Sequence, residues 1–483
     1  MTTNTPHGAR IAEPADLRLA YPEKRIVLAH GVWDGLHPGH IAHLEQAKAM
    51  GDYLVVSVTA DKFVRKGPGR PVFSLEHRVH MLQALSCVDL VLVSHADDAR
   101  SVIATVKPDI YAKGADYQVG HDGDGSAFQL ELAILRSNTG EVRFTNGVTG
   151  SSSALLNQLT LFPDATTRYL ADVRQFCYER DCDIDQCIDQ LGGLDVLLIG
   201  DNIMDQYVTV QALTMSPRAS HPAYRHLGTA TYPGGVRAVA NHLDTFVNEV
   251  TIITSDSYIL KTRYVLPDGA KQFGVQTFPD CKIEDPGLQR ERILDAARNV
   301  DIVMVLDYGH GFVPSQLINE MSQPDSKYAG LYYAVNCQTN SANYGLNLAT
   351  RKYKRSDYLC LDEPELSLAL SRPIDAITLG PELNTEVFAS TLMVTRGVAG
   401  SAFITQNGVE YTPALALKVL DRVGAGDALF AITSPLLALG FPPFLVGFLG
   451  NLMAAIQCGI VANSRPVTKA ELKRAARCIL AGL

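Results

Sequence analysis

The sequence predicts an α/β protein built from two consecutive units. Three observations carry this. The chain has 483 residues, more than one ordinary hydrophobic core organises. Apolar strand-like runs alternate with helix-length segments over residues 25–157, the signature of a parallel sheet with crossover helices. The same alternation restarts at Asp195 and continues through the second unit.

In chain order, residues 1–24 read as a loose leader without the apolar stretch of a signal peptide. The first unit, residues 25–160, offers the strands "RIVLAH", "YLVVSVTA", "VDLVLVS" and "DIYAKG". Residues 161–194 are polar and helical, with Pro163 near the start and Gly192-Gly193 near the end, and read as a helical connector. Residues 195–483 supply "DVLLIGD", "EVTIIT", "VDIVMVLDYG", "GLYYAVN", "DYLCLDE" and "STLMVTRG" as the strands of a second, larger α/β unit.

Composition sets bounds on partners. A net charge of −9 with 42 Lys+Arg against 51 Asp+Glu argues against nucleic acid, because phosphate backbones need a concentrated basic surface. Nucleotides remain available to a few local cations and backbone amides. No run of about 18 apolar residues exists, so no membrane span is expected. Nine cysteines without framework spacing suit a reducing compartment, and the expected location is cytoplasmic. Cys177, Cys182 and Cys187, in steps of five, would point in different directions on a single helix, so no metal site is expected there.

"HGVWDGLHPGH" (residues 30–40) follows the first strand. Pro38 suits the first turn of a helix, and His37 and His40 are i, i+3 neighbours that can face one ligand at the helix mouth. That mouth favours phosphate, and two donors on phosphoryl oxygens would stabilise charge during attack at phosphorus. Taken alone, the pair reads as surface histidines at a helix start, and a metal site lacks a third ligand.

Further on come "RKGPGRP" (65–71), Arg78 in "LEHRVHML", "AKGADY" (112–117) and "TGSSSALL" (149–156). In this order the set resembles the cytidylyltransferase-like nucleotidyltransferases. With "RPVFSLEHR", "SCVD" and "KPDIYAKGADY" it looks most like the adenylyltransferase domain of bifunctional ADP-heptose synthases. The resemblance implies a Rossmann-like fold and a nucleotide site at Gly31, Trp33, Asp34, His37, His40, Lys66, Arg78, Lys113 and Ser151, Ser152 and Ser153. His37 and His40 would hold the ATP triphosphate while a sugar 1-phosphate attacks the α-phosphorus and pyrophosphate leaves. Trp33 stands where the family usually has Phe.

In the second unit "DRVGAGDALF" (421–430) puts Gly424, Ala425 and Gly426 just before a helix, with Asp427 on its first turn. Converging amides there can bind phosphate, and the carboxylate can accept a hydroxyl proton. A helix cap with an acidic first turn would look the same. "LIGDNIMDQY", "YPGGVRAVANHL", "LDYGHGFV", "LDEPEL" and "VTRGVAGS" extend the pattern. Together they resemble the ribokinase-like (PfkB) carbohydrate kinases, specifically the heptose-phosphate kinase half of the same bifunctional enzymes.

By that resemblance Asp427 is the catalytic base and residues 424–426 form the anion hole. Asp201, Asp205, Gly234, Gly235 and Asp307 border the sugar. Asp362 and Glu365, with Thr395 and Gly397, lie on the ATP–Mg²⁺ side. Lys261 and Arg263 either contact a substrate phosphate or form a solvated strand face. Ala238 replaces a family Asn, so that a sugar hydroxyl partner is missing or replaced by Arg237 or Asn241, and Cys337-Gln338 stands where Asp-Pro-Lys is usual. The domain order is inverted. The implied activity is a heptose 7-phosphate 1-kinase plus a heptose 1-phosphate adenylyltransferase, with ATP and Mg²⁺, and a homodimer through the kinase domain. The alternatives are another sugar or polyol phosphate with CTP as donor, or one domain serving as a ligand-binding module without catalysis.

Overall fold

The structure, a computed structural model, describes residues 10–11, 17–67, 69–114, 125–145, 162–215, 221–279 and 285–481. The chain forms two compact units, residues 1–163 with 473–483 and residues 164–472. Among the described residues no helix is long and apolar enough to cross a membrane.

The first unit is a six-stranded parallel sheet. Its strands are β1 (Arg10–Ile11), β2 (Ile26–Gly31), β3 (Tyr53–Thr59), β4 (Leu90–Ser94), β5 (Ile110–Gly114) and β6 (Glu141–Thr145), in the order β1-β4-β3-β2-β5-β6. β2 and β3 are apolar almost throughout because helices cover both faces of the sheet. Val27, Val56 and Leu44 belong to one core layer, and Leu28, Val55 and Ile103 to the other. Strand order reverses at β2, which has β3 on one side and β5 on the other, so a crevice opens at the carboxyl ends of β2 and β5. The stretch expected to be a loose leader is partly built into the fold. Arg10–Ile11 pairs with β4, and Leu17, on a short helix, is buried in the second layer.

In the second unit, helices α1 (Asp164–Glu179) and α2 (Ile184–Gln190) come first. The main sheet contains β7 (Asp195–Gly200), β10 (Glu249–Ile253), β13 (Ile302–Asp307), β14 (Tyr332–Cys337), β15 (Ser356–Asp362) and β16 (Ala389–Thr395), all parallel. β17 (Ser401–Thr405) and β18 (Gly408–Thr412) extend it as an antiparallel hairpin, giving the order β10-β7-β13-β14-β15-β16-β17-β18. A second sheet, in the order β12-β11-β8-β9, is made of β8 (Asn202–Met215), β9 (Pro222–Gly234), β11 (Ile259–Val265) and β12 (Lys271–Thr277). Only its "LKTRYV" stretch is read from the sequence as a strand. β12 is exposed along nearly its whole length, so it lacks the alternation that marks a half-buried strand.

The three closely spaced cysteines do not diverge. α1 ends at Glu179 and α2 begins at Ile184, so the cysteines are not on one helix. The turn between the helices brings the Cys182 and Cys187 sulfurs to 3.4 Å, and Cys177 reaches Cys182 as well. Among the described residues no group of three His, Cys, Asp or Glu side chains is placed to hold a metal ion.

Candidate active sites

In the first unit, the helix Pro38–Ala49 starts at the carboxyl end of β2 with His37 as its N-cap. His37 Nδ1 accepts the Gly39 N–H at 3.1 Å. That amide is therefore not open to phosphate, and neutral His37 must carry its proton on Nε2, as a donor. The His37 and His40 rings stack with centroids 3.9 Å apart. Burial, then Lys66, lowers the His37 pKa, and burial followed by the neighbouring His37 pushes His40 down to about 3. Both rings are uncharged near neutrality, and the His40 ring is hydrogen-bonded to the Gly35 backbone.

The side chains around the pair hold it in place. Trp33, at φ 55°, donates its indole N–H to Ser57 O at 2.9 Å and packs edge-on against His40. A Cβ on Gly31 would come within 3.2 Å of that indole. Asp34 is buried and accepts the amides of Val72 and Phe73, with Arg70 alongside at 3.6 Å, so it anchors the loop that carries Lys66. Burial lowers the Lys66 pKa.

Arg78 is a correction to the expected nucleotide contacts. It is fully buried, and its guanidinium donates to Phe73 O, Val32 O and Thr59 O and pairs with Asp61. It holds the site together from below. Lys113, at the end of β5, is also buried, 3.5 Å from Glu131. Ser151, Ser152 and Ser153 lie outside the described residues. Sequence reasoning missed His30, 2.8 Å from Ser57 Oγ, and His43, 2.7 Å from Thr145 Oγ1. The i+3 spacing from His40 was the available signal for His43.

In the second unit, Gly424 caps the helix α3 (Ala425–Ala438) at φ 83°, where a side chain is strained, and a Cβ there would sit 2.1 Å from Asn463 Oδ1. The first intrahelical bond shown runs from Ala428 N–H to Gly424 O, so the amides of Gly426 and Asp427 precede it and point out of the helix start. The Ala425 amide instead closes a turn on Arg422 O at 3.3 Å, which leaves it a weaker member of the expected anion hole.

Asp427 is partly exposed, and burial pushes its carboxyl up to about 6. Its Oδ1 accepts the Tyr308 hydroxyl at 2.9 Å and Gln338 Nε2 at 3.3 Å. Lys261 reaches over the Tyr308 ring from β11 at 5.6 Å, with Asp205, Asp427 and Asp201 as its acidic surroundings.

Other expected sugar contacts prove to be internal. Asp201 spends its oxygens on the amides of Tyr308, His310 and Phe312, and burial with Asp307 nearby raises it to about 6. Asp307, 1% exposed, is bound by Lys352, the Tyr353 hydroxyl and the Gly309 amide. Arg263 pairs with Asp205. Gly234 and Gly235 leave no room for side chains beside Asp205 and the Asp201 carbonyl, and Gly235 sits at φ 52°. Arg237 Nε donates to Asn202 at 3.1 Å, while Ala238 is buried and Asn241 exposed.

Asp362 and Glu365 form a reciprocal capping box on the helix Glu363–Leu370. Both Glu365 oxygens are taken by backbone amides, those of Thr339 and Asp362, and burial pushes its carboxyl up to about 8. Thr395 pairs with Asp362 across β15 and β16, and Gly397 lies exposed just beyond. Tyr308 and Gln338 were within or beside quoted motifs, but nothing local marked them as neighbours of Asp427.

Residues 28–137 match the cytidylyltransferase-like family, and residues 342–458 match the pfkB family of carbohydrate kinases. The chain thus carries an N-terminal cytidylyltransferase-like domain followed by a C-terminal PfkB domain. A relative named bifunctional protein HldE, from Methylococcus capsulatus, is 43% identical over 137 residues, 27% of this chain and 27% of the relative. The protein of the same name from Helicobacter pylori strain G27 is 40% identical over 124 residues, 25% of this chain and 27% of the relative. The chain thus spans about a quarter of the length of these curated relatives. Among solved structures, phosphofructokinase-2 from Escherichia coli covers 59% of this chain and 99% of its own, at 13% identity and TM-score 0.47. Ribokinase from Arabidopsis thaliana covers 60% and 99%, at 15% identity and TM-score 0.44.

Proposed function

We propose that the chain is a bifunctional transferase that phosphorylates a heptose 7-phosphate at its anomeric hydroxyl and adenylylates a heptose 1-phosphate. The observation that carries it is the pairing, in one polypeptide, of two phosphate-directed helix starts, each with its own reactive side chains. His37, as an Nε2–H donor beside His40, suits the triphosphate of ATP. Asp427, one turn into a glycine-led helix, suits a general base for a sugar hydroxyl. The identity to proteins named bifunctional protein HldE supports the heptose assignment on the nucleotidyltransferase side.

ATP is the proposed phosphoryl and adenylyl donor, and Mg²⁺ would neutralise the transferring phosphates. Mg²⁺ usually takes one or two carboxylates plus substrate phosphates rather than an all-protein cage. Asp362, whose Oδ1 accepts the Glu365 amide, would offer its second carboxylate oxygen to such an ion. The proposed location is the cytoplasm. A homodimer through the β8, β9, β11 and β12 sheet is supported by Leu213, Leu227, Phe273 and Val275, which that sheet leaves exposed.

The test is incubation with ATP, Mg²⁺ and a panel of sugar phosphates that includes heptose 7-phosphate and heptose 1-phosphate, read by mass spectrometry. A sugar 1,7-bisphosphate and an ADP-sugar are the expected products. Preference for CTP, or turnover confined to other sugars, sinks the reading.

A further inference from the structure

The turn after β13 is held far more tightly than a connecting loop requires. Tyr308 N–H donates to Asp201 Oδ2 at 2.9 Å. Its carbonyl accepts Asn340 Nδ2 at 2.8 Å and Asn343 Nδ2 at 2.7 Å. Asn347 Nδ2 binds the preceding carbonyl, that of Asp307, at 3.0 Å. The outcome of all this bonding is one hydroxyl, which donates to Asp427 Oδ1 at 2.9 Å. Gln338 is fixed in the same way: its Nε2 donates to Asn336 Oδ1 at 2.8 Å, and Asn336 Nδ2 in turn donates to Cys360 O at 3.0 Å. Both donors meet the same carboxylate oxygen, and among the described residues none donates to Oδ2.

We propose that Tyr308, seconded by Gln338, is the positioning residue of the kinase base, pinning Asp427 by Oδ1 so that Oδ2 alone faces the substrate hydroxyl. The inference rests on the kinase reading above. In the step it serves, the sugar oxygen forms a bond to the γ-phosphorus and the bond from that phosphorus to the ADP oxygen breaks. The hydroxyl proton passes to Asp427 Oδ2. A carboxylate free to rotate would offer either oxygen at variable distance, and misplacement of about an ångström costs on the order of a hundredfold in rate. The amide of Gln338 matters because a charged side chain there would either compete for Oδ1 or repel it.

Other titratable groups also face Asp427. Asp205 and Lys261 face it from β8 and β11, Glu365 from the helix after β15, and Cys360 from β15 itself. The Tyr308 hydrogen bond lowers the Asp427 pKa against the effect of burial, so its removal moves the acid limb of the rate profile upward.

The experiment uses Tyr308→Phe in the full chain, which keeps the ring, the cation above it and every backbone bond of residue 308. ADP formation from ATP and heptose 7-phosphate is followed across pH, beside Gln338→Met and Asp427→Asn. Tyr308→Phe is expected to lose about tenfold or more in kcat, with both KM values within about twofold and the acid limb displaced upward. Gln338→Met should move both quantities the same way by less. A Tyr308→Phe enzyme with the parent's kcat and acid limb overturns the inference, as does one that loses KM alone. Turnover surviving in Asp427→Asn overturns Asp427 as the base and the positioning role with it, and no turnover in the parent chain overturns the kinase reading beneath both. An inactive Asp427→Asn beside an unaltered Tyr308→Phe removes only the positioning role.

Discussion

Tyr207 and Asp421 are 214 positions apart in sequence and share a buried hydrogen bond of 2.8 Å from the phenol to Oδ2. The other oxygen of Asp421 accepts Lys271 at 2.9 Å and the Val423 amide at 3.2 Å. One carboxylate thus ties β8 and β12 to the turn that leads into Gly424. Burial alone would push Asp421 up, yet Lys271, Tyr207 and the two backbone amides hold it below the usual carboxylate range.

Replacing that carboxylate should loosen both elements together. Asp421→Ala leaves the Tyr207 hydroxyl and the Ala462 amide buried without a partner, a loss of roughly 2–4 kcal/mol. Denaturant melts check this. Because the folded pKa is depressed, the stabilisation is full above the unfolded value and is lost as pH falls through the folded one. The difference between parent and variant should therefore shrink on acidification.

Asp427→Asn should lower kinase turnover by about a hundredfold or more and leave adenylyl transfer unchanged. Its effect on stability has the opposite sign to that of Asp421. A carboxyl raised to about 6 binds protons more tightly folded than unfolded, so its ionisation destabilises the fold between about pH 4 and 6 and above. Thermal melts at pH 8 should find the variant at least as stable as the parent, with the advantage vanishing near pH 4.

The paired histidines titrate in the other direction. His40 is pushed to about 3, so ring resonances followed by NMR should show it neutral down to pH 5 in the free protein. Unfolded histidines bind protons near 6.5, so stability from this site is complete above that value and drains away as pH falls toward the folded pKa. A His40 that titrates near 6.5 would refute the packed geometry of the helix mouth.

Arg78→Met should destabilise the first unit rather than raise the KM for nucleotide. It strands the Phe73, Val32 and Thr59 carbonyls while half-exposed Asp61 stays solvated, a loss on the order of 2–4 kcal/mol. Thermal melts and nucleotide titration separate the two outcomes.

Gly424→Ala places a methyl group where Asn463 Oδ1 stands, at a φ that disfavours side chains. The expected result is a kinase-specific loss of ATP affinity with a destabilisation of about 1 kcal/mol or more, measured by ATP titration and melts.

The sequence by itself determined two α/β units and the two helix starts at Pro38 and Ala425. Apolar strand runs, a proline after a histidine and glycines before a helix are local signals, and each acts within a few residues of its own position. The smaller sheet of the second unit escaped because β12 is exposed on nearly every residue and so shows no period. What only the tertiary structure decided is which charged side chain is free to act. Asp201, Asp307, Glu365 and Arg78 have the right chemistry, yet their lone pairs and protons are absorbed by loops that arrive from elsewhere in the chain. Tyr308 and Gln338, from two other strand ends, both donate to Asp427 Oδ1, and among the described residues none donates to its second oxygen. Hydrogen-bond valence is filled by whatever packs nearby in space, and no spacing along a sequence records that.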